Sequence, residues 1–388
     1  MNDSIKIVIG GDLFPTPVNF QQFSEGVAES VFDEKIVGLF DQADYSVCNL
    51  EGAFTGESTA PKLKYGPNIR APQSCIKGYT ALGVDCVSLA NNHATDYGRQ
   101  GLSDTFLTLD DAGIGHFGAG MTSSEVSTHY QVTIKGERFI FYGVSETLEN
   151  EPTDSEPGVN LYDEYRVCSE IAALKAKCDH LIVLYHGGIE NTHYNTSSIR
   201  RRFHRMAECG ADIITSQHTH AVGEEEYYKG AYLLYGQGNF CFHYSKRNDE
   251  WIKNGLLLEI EFSAGGFTVK KHSVKRADPM VVYDDGQDFS DFDERSRLMS
   301  GGATFEAEFI RYADQKLPNY LHAFRGKNIV DKIAHKFMSR DKYLKYLRRQ
   351  YSKEQLLMIL LALRSEEFRE VSARGFMNLL DETDTAPK

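Results

Sequence analysis

Short apolar runs, each stopped by a polar cluster, recur through the first part of the chain. IKIVIGGD ends at Asp12, YSVCNLEG carries Asn49 and Glu51 at its end, and VDCVSLANNH ends at His93. HLIVLYHGG carries His186, ADIITSQHTH ends at His218 and His220, and AYLLYGQGNF carries Asn239. Between these runs, residues 73–82, 101–112, 167–176 and 197–209 have helical spacing. Strands alternating with helices predict an α/β layered fold, in which ligands gather at the carboxyl ends of the strands. The unusual polar residues fall at those ends. YQVTIKG with RFIFYGV, and GLLLEIEF with GFTVKKHSV, read as antiparallel hairpins turning at glycines. The pattern as a whole predicts a mixed sandwich of two sheets flanked by helices. The core is expected to close near Arg276. The acidic, turn-rich DDGQDFSDFDERSR reads as a boundary, and from about Arg295 the spacing becomes helical, with Ser352 as an N-cap for a long periodic stretch.

Composition narrows the function. A net charge of -13 lacks the basic footprint of a nucleic-acid binder, so no nucleic-acid partner is expected. Anionic substrates stay admissible, because a bound metal reverses the local field. The seven cysteines include no CxxC pair and mostly sit in apolar runs, which predicts a reduced, cytoplasmic protein. The opening MNDSIKIVIGGD has no basic, long apolar leader, and no window is apolar enough for a membrane span.

The strand ends supply Asp12, Asn49, Glu51, Asn92, His93, His186, His218 and His220. These are oxygen and imidazole donors without thiolate, suited to one or two divalent transition ions such as Mn, Fe or Zn. Two ions about 3.5–4 Å apart share a carboxylate in many hydrolytic sites, and Glu51 is the natural bridge. His93, beside Asn92, is placed to protonate a leaving oxygen. On the substrate side, Arg70 in NIRAP offers a bidentate clamp for an anionic group, with Asn49, Glu190 and Asn239 as further polar candidates.

The ordered motifs GGDLF, NLEGAFT, IRAP, SLANNHATDYGRQGL, LYHGGIE, SQHTHAVG and YGQGNF resemble the CapA family of capsule and poly-γ-glutamate synthesis proteins, within the calcineurin-like metallophosphatase superfamily. The resemblance implies a four-layer α/β/β/α sandwich of two mixed sheets over residues 1–285, followed by a helical extension over 286–388. It implies Glu51, Asn92, His186 and His218 around one ion and Asp12, Glu51 and His220 around the other. His93 would be the catalytic imidazole, oriented by Asp96. The implied function is metal-dependent hydrolysis of the metallophosphatase type in capsule, exopolysaccharide or poly-γ-glutamate synthesis. The substrate would be an anionic small molecule or polymer, with peripheral association with a capsule-synthesis complex. The alternatives are an amide-bond hydrolase or transferase on a polyglutamate-like polymer, and a non-catalytic assembly factor. One departure stands out: where the phosphatase pattern has a histidine two residues after the first aspartate, this chain has Phe14.

Overall fold

The computed structural model describes residues 4–64, 66–146, 150–243, 253–286 and 289–300, then 307, 330, 334, 336–353, 355, 356 and 359. Contacts divide the chain into two compact units, Met1–Phe309 and Ile310–Lys388.

Two sheets build the first unit. The larger has eight strands, in the order Met280–Tyr283, Gly266–Ala277, Asn254–Ser263, Ile5–Phe14, Tyr45–Asn49, Cys86–Ser88 and Gly115–Phe117, with Asn239–Phe242 also pairing with Ile5–Phe14. The second has six, in the order Glu225–Tyr228, Ala231–Leu234, Ile213–Gln217, His180–His186, Glu137–Ser145 and Tyr130–Ile134. Neighbours are parallel where a helix crosses between them and antiparallel in the two hairpins read from the sequence. The hairpin at Lys135-Gly136 turns with both residues at positive φ, which matches the twist of its strands. Side-chain oxygens cap the crossover helices. Asp33 accepts from the Ile36 amide, Asp163 from Arg166 and Thr196 from Ile199.

The period-two alternation of each strand sorts the core into three apolar layers. Val8, Cys48 and Val87 face helices through Phe23, Ile36, Phe40, Leu102 and Leu109. Ile7, Ile9 and Val47 face the other sheet, meeting Phe141, Ile182, Leu184, Ile213 and Leu234. Beyond that sheet, Tyr142, Val183 and Tyr185 pack on Val167, Ile171, Phe203 and Met206 of the outer helices. The architecture is therefore α/β/β/α. Buried Gln237 joins the sheets: its Nε2 donates to the carbonyls of Ile9 (2.8 Å) and Leu256 (3.0 Å), and its Oε1 accepts from Thr215 (2.9 Å) and Gln217 (3.0 Å).

After the last strand, the helix Ser290–Ser300 sets Phe292 in the layer between the sheets and Met299 among the outer helices. The second unit holds the helix Arg340–Arg348, whose Tyr343 and Leu347 pack with Ala334. Ser352 begins the next helical stretch with a reciprocal cap: Gln355 N donates to Ser352 Oγ (3.1 Å) and Ser352 N to Gln355 Oε1 (2.8 Å). Most of the periodic sequence beyond it lies outside the described residues. No helix among the described residues is long and apolar enough to cross a membrane.

Candidate metal centre

The parallel strands of both sheets end at one place. Asp12 lies near the end of Ile5–Phe14, in register with Asn49 on one side and Asn239 on the other. A register shift between Asp12 and Leu13 bends the strand there. Asn91, Asn92 and His93 follow Cys86–Ser88; His186 ends its strand; His218 and His220 follow Ile213–Gln217. Both of these last histidines hold positive φ, at 86° and 52°. Residues other than glycine adopt that region at a cost, and it is concentrated at functional sites.

One donor atom each from Glu51, His186 and His218 lie within 4.8 Å of one another, and so do donors from Asp12, Glu51 and His220. Glu51 belongs to both groups. Asn92 Oδ1 extends the first, 2.8 Å from His186 Nε2. Glu51 is fully buried, with His186 Nε2 at 3.5 Å, and neither of its oxygens has a hydrogen-bond partner among the described residues. The same holds for Nδ1 of His218. Orphaned buried donors and acceptors cost about 1–3 kcal/mol each, more when charged, unless a partner satisfies them. A divalent cation is such a partner. The residues present, a set of oxygen and nitrogen donors, fit one.

A ring of asparagines holds these groups. Asn49 donates to Asp12 Oδ1 (2.8 Å) and lies 3.3 Å from His186 Nδ1. Asn91 donates to the Leu50 carbonyl (2.7 Å) and Asn49 Oδ1 (3.2 Å), while its own Oδ1 accepts from the His93 amide (3.0 Å). Asn239 Oδ1 is 2.9 Å from His220 Nδ1. Asn49 is thus buried with its amide fully engaged, and Asn239 contacts the imidazole of a candidate ligand, His220. Glu190 is exposed at the rim, 3.9 Å from His218 Nε2. The Arg70 guanidinium donates to the Gly56 carbonyl (2.8 Å) and lies over the Tyr97 ring. Phe14 is buried against Phe54, and its ring fills the space that a side chain at Gly52 would need, within 2.5 Å of a Cβ there. The position that would carry a further ligand belongs to the core.

The electrostatics are asymmetric. Burial takes His186 down to about 4 and, together with the charge of His186, takes His218 down to about 3. Burial also opposes charge on His220, but Glu51, Asp12 and Asn239 hold it up to about 10. Burial works to raise Asp12 as well, yet its hydrogen bond to His220 and the nearby imidazoles take it down to about 2. Burial and the charge of Asp12 push Glu51 well above the carboxylate range. The raised value of His220 adds stability that is complete below the ordinary imidazole pKa near 6.5 and is lost as pH rises towards 10. Metal-free protein is therefore expected to lose up to about 1.4 kcal/mol per pH unit across that window from this group. A bound ion, replacing the proton, should flatten the slope. Urea unfolding at pH 6.5, 8 and 9.5, with and without metal, measures this; a flat metal-free profile would contradict it.

His93 stands beside the ligands. It is buried, and its Nδ1 lies 2.7 Å from Asp96 Oδ2, which also accepts from the Ile69 amide (2.7 Å). With Nδ1 engaged, Nε2 is left for chemistry. Three neighbours were not singled out from the sequence. Asn91 holds the loop as described. Asn150 donates to the Asn91 carbonyl (3.0 Å) and accepts from Thr95 (2.6 Å). Lys64 pairs with Asp96. The doubled asparagine of NNH was the one available signal for Asn91; Lys64 and Asn150 sit in loops without periodicity.

The chain is similar to known proteins along part of its length. The PGA biosynthesis protein CapA of Bacillus subtilis (strain 168) is 26% identical over 267 residues, covering 66% of this chain and 68% of that protein. A probable polyglutamine synthesis accessory protein of Mycobacterium tuberculosis (strain CDC 1551 / Oshkosh) is 30% identical over 215 residues, 52% of this chain and 56% of the relative. This match therefore spans little more than half of the relative's length. Among solved structures, a 5'-nucleotidase precursor from Thermus thermophilus aligns at 15% identity and a TM-score of 0.43, over 71% of this chain and 55% of its own. The family model described as "Bacterial capsule synthesis protein PGA_cap" matches residues 6–244, a span that includes every candidate ligand above, and the chain belongs to that family.

Proposed function

We propose that this protein is a metal-dependent hydrolase of the metallophosphatase type, working on an anionic substrate in the synthesis of a capsule or a γ-glutamyl polymer. The carrying observation is Glu51, a buried carboxylate without a hydrogen-bond partner among the described residues and common to two ligand groups. The polymer assignment is supported by family membership and by the names of the relatives.

Glu51, Asn92, His186 and His218 would hold one ion, and Asp12, Glu51 and His220 a second. When bound, a divalent ion supplies Lewis-acid chemistry to a phosphoester. The protein's own groups do the rest. Asn49, Asn91 and Asn239 orient the ligands, Asp96 fixes the ring plane of His93, and His93 Nε2 passes a proton to the departing oxygen.

Phe14 favours a second reading, an assembly factor that holds one ion and does no chemistry, because it withdraws a ligand position. Metal analysis of natively purified protein, with phosphoester and amide hydrolysis assayed on the same sample, separates the two. Bound metal with phosphoester hydrolysis is expected. Metal without hydrolysis supports the assembly factor, and protein that takes up no Mn, Fe or Zn sinks both readings.

A further inference from the structure

Lys64 is a lysine whose side chain is only 7% exposed, although the next residue back, Leu63, is 72% exposed. Its ammonium pairs with Oδ1 of the fully buried Asp96. It also lies 3.3 Å from the main-chain carbonyl of Asn92 and 3.3 Å from Nδ1 of His93. The same carboxylate receives the Ile69 amide and the His93 ring on Oδ2, and the Lys62 amide donates to the Asp96 carbonyl (2.7 Å). Asp96 is therefore the hub where the segment carrying Lys64 meets the loop carrying Asn92 and His93.

A buried lysine–carboxylate pair is a poor way to stabilise a fold. Removing both charges from water is costly, and apolar side chains of similar volume often serve the fold as well or better. The ammonium offers something that an apolar group cannot: several donors from one point, reaching two acceptors on one short loop. One acceptor is the carboxylate that sets the ring plane of His93. The other is the main-chain oxygen of Asn92, whose side chain stands 2.8 Å from His186. While Lys64 holds Oδ1, Asp96 cannot turn without breaking a charged contact, and the His93 ring is held with it.

We propose that Lys64 is a positioning residue: by joining the Asp96 carboxylate to the Asn92 carbonyl, it fixes the orientation of the His93 imidazole relative to the ligand Asn92. The catalytic consequence rests on the hydrolase reading above; the structural consequence does not.

The test compares Lys64→Met and Lys64→Arg in the full chain. The first readout needs neither metal nor activity. In metal-free protein, the hydrogen-bonded Nδ1 proton of His93 should give a protected downfield imidazole signal. Lys64→Met should lose or broaden it, and Lys64→Arg should restore it. The second readout is kinetic. Lys64→Met should lower kcat about 10–10²-fold on an alkyl phosphoester, less on a nitrophenyl ester, with little change in KM. Its unfolding midpoint should not fall. A folded Lys64→Met protein with wild-type ring signal and kcat overturns the proposal. So does a Lys64→Met chain that fails to fold beside a Lys64→Arg chain that folds but lacks the signal, since lysine would then serve the fold alone. If the wild type hydrolyses nothing, the hydrolase reading falls and the ring signal alone decides the place of Lys64.

Discussion

Replacing His93 with alanine should lower kcat about 10²–10⁴-fold toward an alkyl phosphoester while leaving the metal content unchanged. The imidazole belongs to neither ligand group, and its Nδ1 is committed to Asp96 at 2.7 Å. On the proposed function, the substitution would remove a proton donor at Nε2 and no ligand. The loss should therefore track the need for protonation, large for an alkoxide leaving group and small for nitrophenolate, which departs unaided. Metal analysis and steady-state rates on matched samples distinguish the outcomes. A variant without metal would make His93 a ligand, and a fully active variant would remove proton transfer by this residue from the mechanism.

Glu51→Gln should have opposite effects on metal binding and on the fold. Glu51 is shared by both groups, so loss of its charge should weaken both ions, by more than about 10²-fold, beyond the usual effect of changing an outer-shell partner. The metal-free protein should become more stable by about 1–3 kcal/mol. Neither carboxylate oxygen has a hydrogen-bond partner among the described residues, burial and Asp12 disfavour its charge more than His220 favours it, and an amide can donate to Asp12 instead. Because the folded-state value of Glu51 is raised, its penalty grows as pH rises above the ordinary carboxylate range, and the gain from glutamine should grow with it. Mass spectrometry of the native protein and urea unfolding of the metal-free forms measure the two effects. Retention of both ions, or a less stable metal-free variant, would contradict the role given to Glu51.

The strands and their ends were legible because burial writes itself into sequence. Ile7, Val8 and Ile9 are buried on both faces, so the run is continuous and its stop at Gly10-Gly11-Asp12 is visible. Asp12, Glu51, Asn92, His93, His186, His218 and His220 all fall where such runs stop, and the fold brings them together. Arg70 could not be placed from sequence, because an arginine in a loop has the same appearance whatever it meets; its guanidinium contacts the Gly56 carbonyl and a tyrosine ring. Lys64 was passed over for the converse reason: its neighbours in sequence say nothing about Asp96, which lies 32 positions away. The match of Phe14 to Gly52 was equally hidden, since it is a fit between shapes. The Ser352 cap was readable because both of its partners lie within one helical turn.

The chain crosses to the second sheet between Gly115–Phe117 and Tyr130–Ile134 and returns in the few residues separating Ala231–Leu234 from Asn239–Phe242, with Gln237 at the return. Asp12, Glu51 and Asn92 therefore come from one sheet, and His186, His218 and His220 from the other. No half of the unit can assemble either candidate ligand group alone, because each group draws on both sheets. An ion held by either candidate group would span the seam. Any opening that parts the sheets would then have to release it, adding RT ln(1 + [L]/Kd) to the free energy of that opening. Amide hydrogen exchange that proceeds through such an opening should slow together in both sheets when metal is added, turning two stacked layers into one cooperative body.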